Sequence, residues 1–171
     1  VLKNECKIKG ITTIYTYGEY RLNAINNSGI DELKNIDVKL VGPYIKYVNN
    51  FCTLERLNII KSKYSRILLV FPFHSSQEEG GEFDEYKFIS RIKEVALNYD
   101  SVFISVFWLD VVYNKHKIYS DAGFTIVTSG HRNDPYFLQR QRDLIELSDM
   151  TMSNNLGTHI CYCIALNKPH Y

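Results

Sequence analysis

The chain has 171 residues, of which 45% are hydrophobic and 13% aromatic, and its formal net charge is +1. This length suits one domain of ordinary size with part of a second, and it allows a core to form without disulfides or a metal. The composition argues against disorder, and the small net charge argues against a nucleic-acid-binding protein with a strongly basic face.

No apolar run reaches the roughly 18 residues of a membrane helix, and the sequence contains no signal peptide. Cys161 and Cys163 form a C-x-C pair in an apolar run, whereas zinc sites usually contain C-x-x-C pairs. We therefore expect the four cysteines to be buried free thiols, as in a cytoplasmic protein without a metal.

Strand-like and helix-like patterns alternate along the chain. Residues 11–17 and 38–41 predict two strands, and Thr53 is predicted to cap a helix that runs to residue 60. The clearest strand is 67–71, which is apolar at every position, as is typical of a parallel strand covered on both faces. The later predictions are a helix over 83–97, a strand over 102–107, a helix over 109–116, a strand over 124–127, a helix over 134–148, a strand over 149–152 and a helix over 157–166.

This alternation predicts an α/β fold, a Rossmann-like parallel β-sheet with helices on both faces. The strands containing Leu68, Phe103, Ile126 and Thr151 should be adjacent or nearly so. Residues 1–49 are interpreted as a linker or edge segment from a preceding domain, and residues 50–171 as the Rossmann-like domain. The chain begins without Met and stops where a strand starts, so we expect it to be a piece of a longer protein.

Ligands of open parallel sheets bind beyond the carboxyl ends of the strands, and three loops in those positions carry polar groups. The candidate residues are His74, Ser75 and Ser76; Gly130, His131 and Arg132; and Ser153, Asn154, Asn155, Gly157, Thr158 and His159. In the third loop, a polar turn with Gly before a helix suits an anion, or else Asn155 or Ser153 simply caps the helix.

Other polar groups favour ordinary surface roles, and no catalytic residue can be assigned. Arg132 either pairs with phosphate or is a solvated residue at a helix start, and His116 between two lysines predicts a solvated face. The acidic residues between Glu78 and Glu85 indicate an exposed loop rather than a cation site. Motifs of serine hydrolases and zinc peptidases are absent.

Three segments carry a resemblance to a known family. Residues 145–159, followed by Leu166-Asn167-Lys168-Pro169, are similar to the C-terminal domain of GT-B glycosyltransferases and of the related sugar-nucleotide 2-epimerases. Val41-Gly42-Pro43 resembles the linker into that domain, and residues 71–76 resemble its first phosphate-facing loop. The likeness spans residues 38–171 and is nearest to transferases of bacterial capsule and surface-polysaccharide loci.

The resemblance implies one half of a GT-B fold that binds a sugar-nucleotide donor. The donor's diphosphate would rest on 153–159 and its base against 128–132, with no metal or other cofactor. The acceptor would be a polysaccharide or a lipid-linked molecule, and the catalytic base would come from the N-terminal domain of the same parent chain.

The parent is expected in the cytoplasm, with room for peripheral association at the inner membrane face. Two departures from the family are a Leu156-Gly157-Thr158 turn in place of Gly-Gly and Cys161-Tyr162 near the position of the ribose-binding Glu. A sugar-nucleotide 2-epimerase and a non-catalytic nucleotide-binding module are the alternatives.

Overall fold

The structure, a computed structural model, describes residues 10–73 and 83–171, with the backbone alone at residue 32. The chain divides into two compact units between Tyr44 and Ile45, so the predicted domain start at residue 50 lies just inside the second unit. Across the described residues, no helix combines the length and the apolar character needed to cross a membrane.

The first unit contains a β-α-β arrangement with a small core of its own. Its elements are β1 (Thr13–Thr16), α1 (Gly18–Asn26), a 3-10 helix (Asp31–Leu33) and β2 (Asp37–Leu40). The strands pair in parallel with Ile14 opposite Val38, and the core buries Ile25 and Leu33. Both strands were predicted, but α1 was not, because Ile25 is its only buried residue and leaves little apolar periodicity to recognise.

The second unit alternates strands and helices. Its elements are a 3-10 helix that begins at the unit boundary (Tyr44–Tyr47), α2 (Leu54–Tyr64), β3 (Ile67–Phe71), α3 (Glu85–Val95), a 3-10 helix (Ala96–Asn98), β4 (Ser101–Ser105), α4 (Trp108–Val112), α5 (Lys117–Asp121), β5 (Thr125–Val127), α6 (Phe137–Leu147), β6 (Met150–Ser153) and α7 (Thr158–Ala165). Thr53 caps α2 by accepting from the Arg56 N–H at 3.3 Å, as predicted.

The four strands of this unit form one parallel sheet in the order β5-β4-β3-β6. The prediction of a Rossmann-like α/β fold with these four strands adjacent is therefore confirmed. The last residues add a further parallel segment beside β6, in which the Thr151 N–H donates to Pro169 O and the Tyr171 N–H donates to Thr151 O, both at 2.9 Å.

Helices cover both faces of the sheet because β3 is apolar on both sides. Ile67, Leu69 and Phe71 face a core that contains residues of α2, α6 and α7, while Leu68 and Val70 face one built from α3 and α5. All five side chains of β3 are buried, and burying each one completely is worth about 1.5–3 kcal/mol.

Two local predictions are wrong. The helix expected over 109–116 ends at Val112, because Asn114 adopts a left-handed φ of +58° just beyond it, and the next helix, α5, begins only at Lys117. Cys163 is buried, but Cys161 is exposed, because the two side chains leave α7 on different sides; Cys52, Cys161 and Cys163 are free thiols. Cys6 lies outside the described residues.

A buried carboxylate of α6 is one of the groups that attach the start of the second unit to that helix. Asp143 is 5% exposed and accepts from Asn50 Nδ2 at 2.9 Å, from the Phe51 N–H at 3.1 Å and from the Cys52 N–H at 2.8 Å. These three donors belong to a segment without regular structure, so the carboxylate replaces the backbone partners that a helix or sheet would supply.

Replacing Asp143 with Asn should destabilise the protein, because an amide offers one acceptor oxygen where the carboxylate offers two. We expect the free energy of unfolding to fall by about 1–3 kcal/mol in chemical denaturation, the cost of leaving a buried donor unpaired. The control is Asp121→Asn on the exposed surface of α5. Equal stability of the two variants would contradict this role of Asp143.

Candidate functional site

A cavity lies at the point in the sheet where the order of strand addition reverses. The chain passes from β3 to β4 and β5 on one side, then returns to β6 on the other side of β3. The loops that follow β3 and β6 therefore leave the sheet in opposite directions and open a crevice between them, which is where open α/β sheets bind ligands. The cavity here has a volume of about 520 Å³, within the usual range for small-molecule sites.

Five of the predicted site residues line this cavity, and others lie beside it. The lining members are Gly130, Asn155, Gly157, Thr158 and His159. Ser153 ends β6 and Asn154 follows it, whereas His131 and Arg132 are exposed and outside the lining.

His74, Ser75 and Ser76 lie outside the described residues. The other lining residues, some of which lie in the predicted loops 71–76, 128–132 and 153–159, are mostly apolar: Phe71, Pro72, Phe73, Ser105, Val106, Phe107, Ser129, Phe137, Gln141, Leu156 and Tyr162.

The amino end of α7 opens into the cavity without a side-chain cap. Gly157 is the N-cap residue and has no side chain with which to accept a hydrogen bond from the first turn. The two predicted capping groups are otherwise placed: Ser153 Oγ donates to Asn155 O at 3.0 Å, and Asn155 Oδ1 is buried with no partner in the described part of the chain. Backbone N–H groups at a helix start and the helix dipole make such an end favourable for an anion.

A glycine is favoured at position 157 because the His159 side chain lies close to it, and not because of its backbone angles. Its φ of −150° is open to any residue, but a Cβ atom there would lie 2.7 Å from Cε1 and 2.8 Å from Nδ1 of His159. The His159 ring stacks on Phe71 with 4.8 Å between ring centroids. The glycine thus leaves room for an imidazole that packs the end of α7 onto the end of β3.

The loop after β5 is held by Arg140, which sequence reasoning missed. Arg140 Nε donates to Ser129 O at 2.9 Å, and its guanidinium pairs with Asp134 at 2.9 Å. Gly130 has a left-handed φ of +87°, and a Cβ atom there would lie 2.8 Å from an Arg140 nitrogen. An arginine within an amphipathic helix has no sequence signal that separates this role from a solvated one.

A second missed residue, His170, fastens the turn before α7. Thr151 Oγ1 donates to Pro169 O at 3.0 Å and therefore accepts from His170 Nδ1 at 2.8 Å. In the neutral ring His170 Nε2 is then an acceptor 3.0 Å from Ser153 Oγ, whose single hydrogen can go to Nε2 or to Asn155 O, so the ring lies between the last residues of the chain and the end of β6. Burial lowers the pKa of His170 below its ordinary value, which keeps the ring neutral near pH 7.

Two residues of the segments that carry the family resemblance hold elements together away from the cavity. Lys168 Nζ donates to Glu146 O at 2.7 Å and to Ser148 O at 2.6 Å, and so caps the carboxyl end of α6. Asp149 pairs with Lys61 and accepts from the Ile67 N–H at 2.7 Å. Partial burial opposes ionisation of Asp149, but these two hydrogen bonds outweigh it and hold its pKa below the ordinary value.

The cavity combines an aromatic wall with neutral polar groups. The wall consists of Phe71, Phe73, Phe107, Phe137 and Tyr162, and the described lining includes no Asp, Glu, Lys or Arg. Flat apolar surfaces suit a planar ring, and backbone dipoles at a helix end suit a phosphate. The described residues of this cavity therefore favour binding of an anion with a ring system over acid–base chemistry.

Gly130→Ala should disturb the loop by two separable effects. A left-handed φ costs an L-residue about 1–2 kcal/mol, and the new methyl group would also displace Arg140. Gly123→Ala is the matched control, because Gly123 has a φ of +91° but open space around the missing Cβ. Denaturation should show a larger loss for Gly130→Ala, and removal of Arg140 should abolish that difference. A difference that persists in Arg140→Ala proteins would contradict the contact.

His170 should make stability fall as the pH falls. Its pKa is lowered in the folded state, so below its ordinary value of 6.5 the unfolded chain binds a proton that the folded chain resists. The contribution is complete above pH 6.5 and is lost progressively as the pH falls towards the folded pKa. Urea denaturation between pH 7.5 and 5 should show this loss, reduced in His170→Gln and retained in a control at the exposed His131, His131→Gln. The same slope in both variants would argue against His170.

Comparisons of the chain with protein-family models, curated proteins and solved structures find no match. The fold class is therefore established by the parallel sheet and its two helical layers. The interpretation of function depends on the geometry of the cavity at the carboxyl edge of the sheet.

Proposed function

We propose that the second unit binds a sugar-nucleotide donor and serves a glycosyltransferase that passes the sugar to a surface polysaccharide or lipid-linked acceptor. The observation that supports this proposal most is the amino end of α7, which has no side-chain cap and lies at the crevice where the order of the strands reverses. The sequence resemblance to GT-B transferases points to the same turn. Binding and transfer are separate claims, and the geometry supports the binding step more directly.

The diphosphate is assigned to the first turn of α7. Backbone N–H groups near Gly157 and Thr158 and the Thr158 hydroxyl would donate to its oxygens, with the helix dipole favouring the negative charge. The base and ribose are assigned to the aromatic wall and the loop at Gly130. Asn155 Oδ1, which has no partner among the residues that the structure describes, offers an acceptor for a hydroxyl group of the donor.

In glycosyl transfer the bond between the sugar carbon and the diphosphate oxygen breaks, and the diphosphate leaves with the electron pair. Fixed dipoles at a helix end stabilise that developing charge without a metal. The described lining carries no carboxylate to accept the proton of an acceptor hydroxyl, so the base is assigned to another domain of the parent chain.

The same observation favours a second candidate, a nucleotide-binding module without catalysis. A labelled sugar nucleotide given to the full-length parent distinguishes the candidates. Label in an acceptor supports the transferase, isomerised free nucleotide supports a 2-epimerase, and binding without either supports the module.

A negative charge at the rim of the cavity should weaken binding of a nucleoside diphosphate. Leu156 lines the cavity and is 93% exposed, so Leu156→Asp can place a carboxylate beside the phosphate site without emptying a core. Gly157 is a poorer probe, because any side chain there also displaces His159. Calorimetric titration with UDP, CDP, GDP, ADP and dTDP should show at least one that binds the wild type, and binding to Leu156→Asp about tenfold weaker at low salt.

The control is Leu97→Asp, an equal change of charge at a side chain that is 85% exposed and precedes β4 at the opposite edge of the sheet. It should bind like the wild type, and the loss in Leu156→Asp should shrink as salt is added. Equal affinity of the two variants would contradict the phosphate assignment. Failure of all five diphosphates to bind the wild type would contradict the proposed function itself.

A further inference from the structure

A second cavity of about 470 Å³ opens at the same edge of the sheet. Pro72, Phe73, Val106 and Phe107 line both cavities, so the two lie on either side of the segments that follow β3 and β4. The second cavity is bounded by α3, α4 and α5 rather than by α6 and α7. Of the predicted site residues that the structure describes, none lies in its lining.

Two deeply buried polar side chains in this lining have an atom without a partner. Asp110 is 9% exposed and Tyr119 is 4% exposed. Within the part of the chain that the structure describes, no group bonds to Asp110 Oδ1 or to the Tyr119 hydroxyl. Leaving such groups unpaired costs free energy, so their presence in a cavity wall points to a ligand that satisfies them.

The break between α4 and α5 shapes this site. Asp110 O accepts from the Lys115 N–H at 2.9 Å and from the His116 N–H at 3.4 Å, so the chain curls around Asn114 and continues into α5. Asn114 and His116 thereby line the cavity with Asp110. His116 is half-buried here, so the predicted solvated face includes the exposed Lys115 and Lys117 on either side but only part of the imidazole.

The polar groups of this cavity are complementary to a ligand that both donates and accepts hydrogen bonds. Asp110 Oδ1 and the nearby Glu85 carboxylate are acceptors. Burial and then the charges of Glu85 and Asp110 raise the pKa of Tyr119, so its hydroxyl keeps its proton and is a donor as well. A hydroxyl group can serve Asp110 and Tyr119 together, whereas an ammonium group has no lone pair to accept from Tyr119.

The apolar walls and the remaining charged side chains of the cavity further restrict the class of ligand that it can bind. Phe73, Phe83 and Phe107 present apolar surface, which suits the C–H face of a sugar ring. Lys115 and His116 also line the cavity, and the positive charge of Lys115 disfavours a cation. Among the described residues, no three His, Cys, Asp or Glu side chains gather to hold a metal ion.

We propose that this second cavity is a binding site for a neutral saccharide, with Asp110 and Tyr119 as its hydroxyl-recognising residues. The site itself depends only on the geometry of the second cavity. Its relation to the donor rests on the proposed function: a saccharide here would lie next to the donor cavity, across the shared residues Pro72, Phe73, Val106 and Phe107.

The test is an NMR titration of the isotopically labelled 171-residue chain with glucose, galactose, mannose, N-acetylglucosamine and lactose at millimolar concentrations. Ethylammonium chloride serves as the cation probe. At least one saccharide should shift the amide signals of Asp110 and Tyr119, and Tyr119→Phe should bind it about threefold to tenfold more weakly. The matched control is Tyr113→Phe, which removes a hydroxyl from a side chain that is 56% exposed outside the lining.

Stability separates a ligand role of Tyr119 from a structural one. An unpartnered buried hydroxyl contributes nothing to folding, so Tyr119→Phe should be as stable as the wild type or more so. A loss of stability would mean that the hydroxyl is satisfied within the fold, by water for example, and would overturn the proposal. Equal saccharide affinity in the two Tyr variants, tighter binding of ethylammonium, or no shift with any saccharide would also overturn it.

The Leu156→Asp variant keeps this proposal distinct from the donor site. It should lose affinity for the nucleoside diphosphate and keep its affinity for the saccharide. Saccharide binding without nucleotide binding would support the second site while contradicting the proposed function. Nucleotide binding without saccharide binding would support the proposed function while contradicting the second site.

Discussion

The parallel pairing of β3 with β4 on one side and with β6 on the other is the constraint on which the second unit depends. Every side chain of β3 is buried, so both faces of the sheet must be covered by helices. β4 and then β5 are added on one side of β3, and β6 is added on the other side of β3. This reversal separates the loops after β3 and β6, and the separation creates the space for a ligand.

The cavity proposed to hold the donor is built around fixed dipoles and held in shape by side chains that lie close to it. Arg140 fixes the loop at Gly130 through Ser129 O, and His170 ties Ser153 to the end of the chain. His159 packs against Phe71 in the space that Gly157 leaves free. Such preorganisation matters for binding, because donors already in place need no reorganisation when a charged ligand arrives.

The two cavities of the second unit share a wall but offer opposite chemistry. One has neutral lining and the amino end of a helix, which favours an anion. The other has Asp110 and Glu85 beside a buried phenol, which repel an anion and accept hydrogen bonds from hydroxyl groups. Electrostatics would therefore direct a charged donor to the first cavity and keep it out of the second, which a neutral saccharide could enter. The two proposals are compatible, but neither depends on the other.

The sequence by itself determined the fold class, the order of the strands, and the two described loops that follow β5 and β6 at the carboxyl edge, because hydrophobic periodicity and continuous apolar runs are local signals. It did not reveal α1, the break at Asn114, or the roles of Arg140, His170, Asp110 and Tyr119. Those depend on partners distant in the chain: Arg140 meets Ser129, and Tyr119 comes near Glu85, only after the sheet has formed. Only the tertiary structure decided which polar side chains line a cavity, because burial and hydrogen-bond pairing are set by contacts between separate elements.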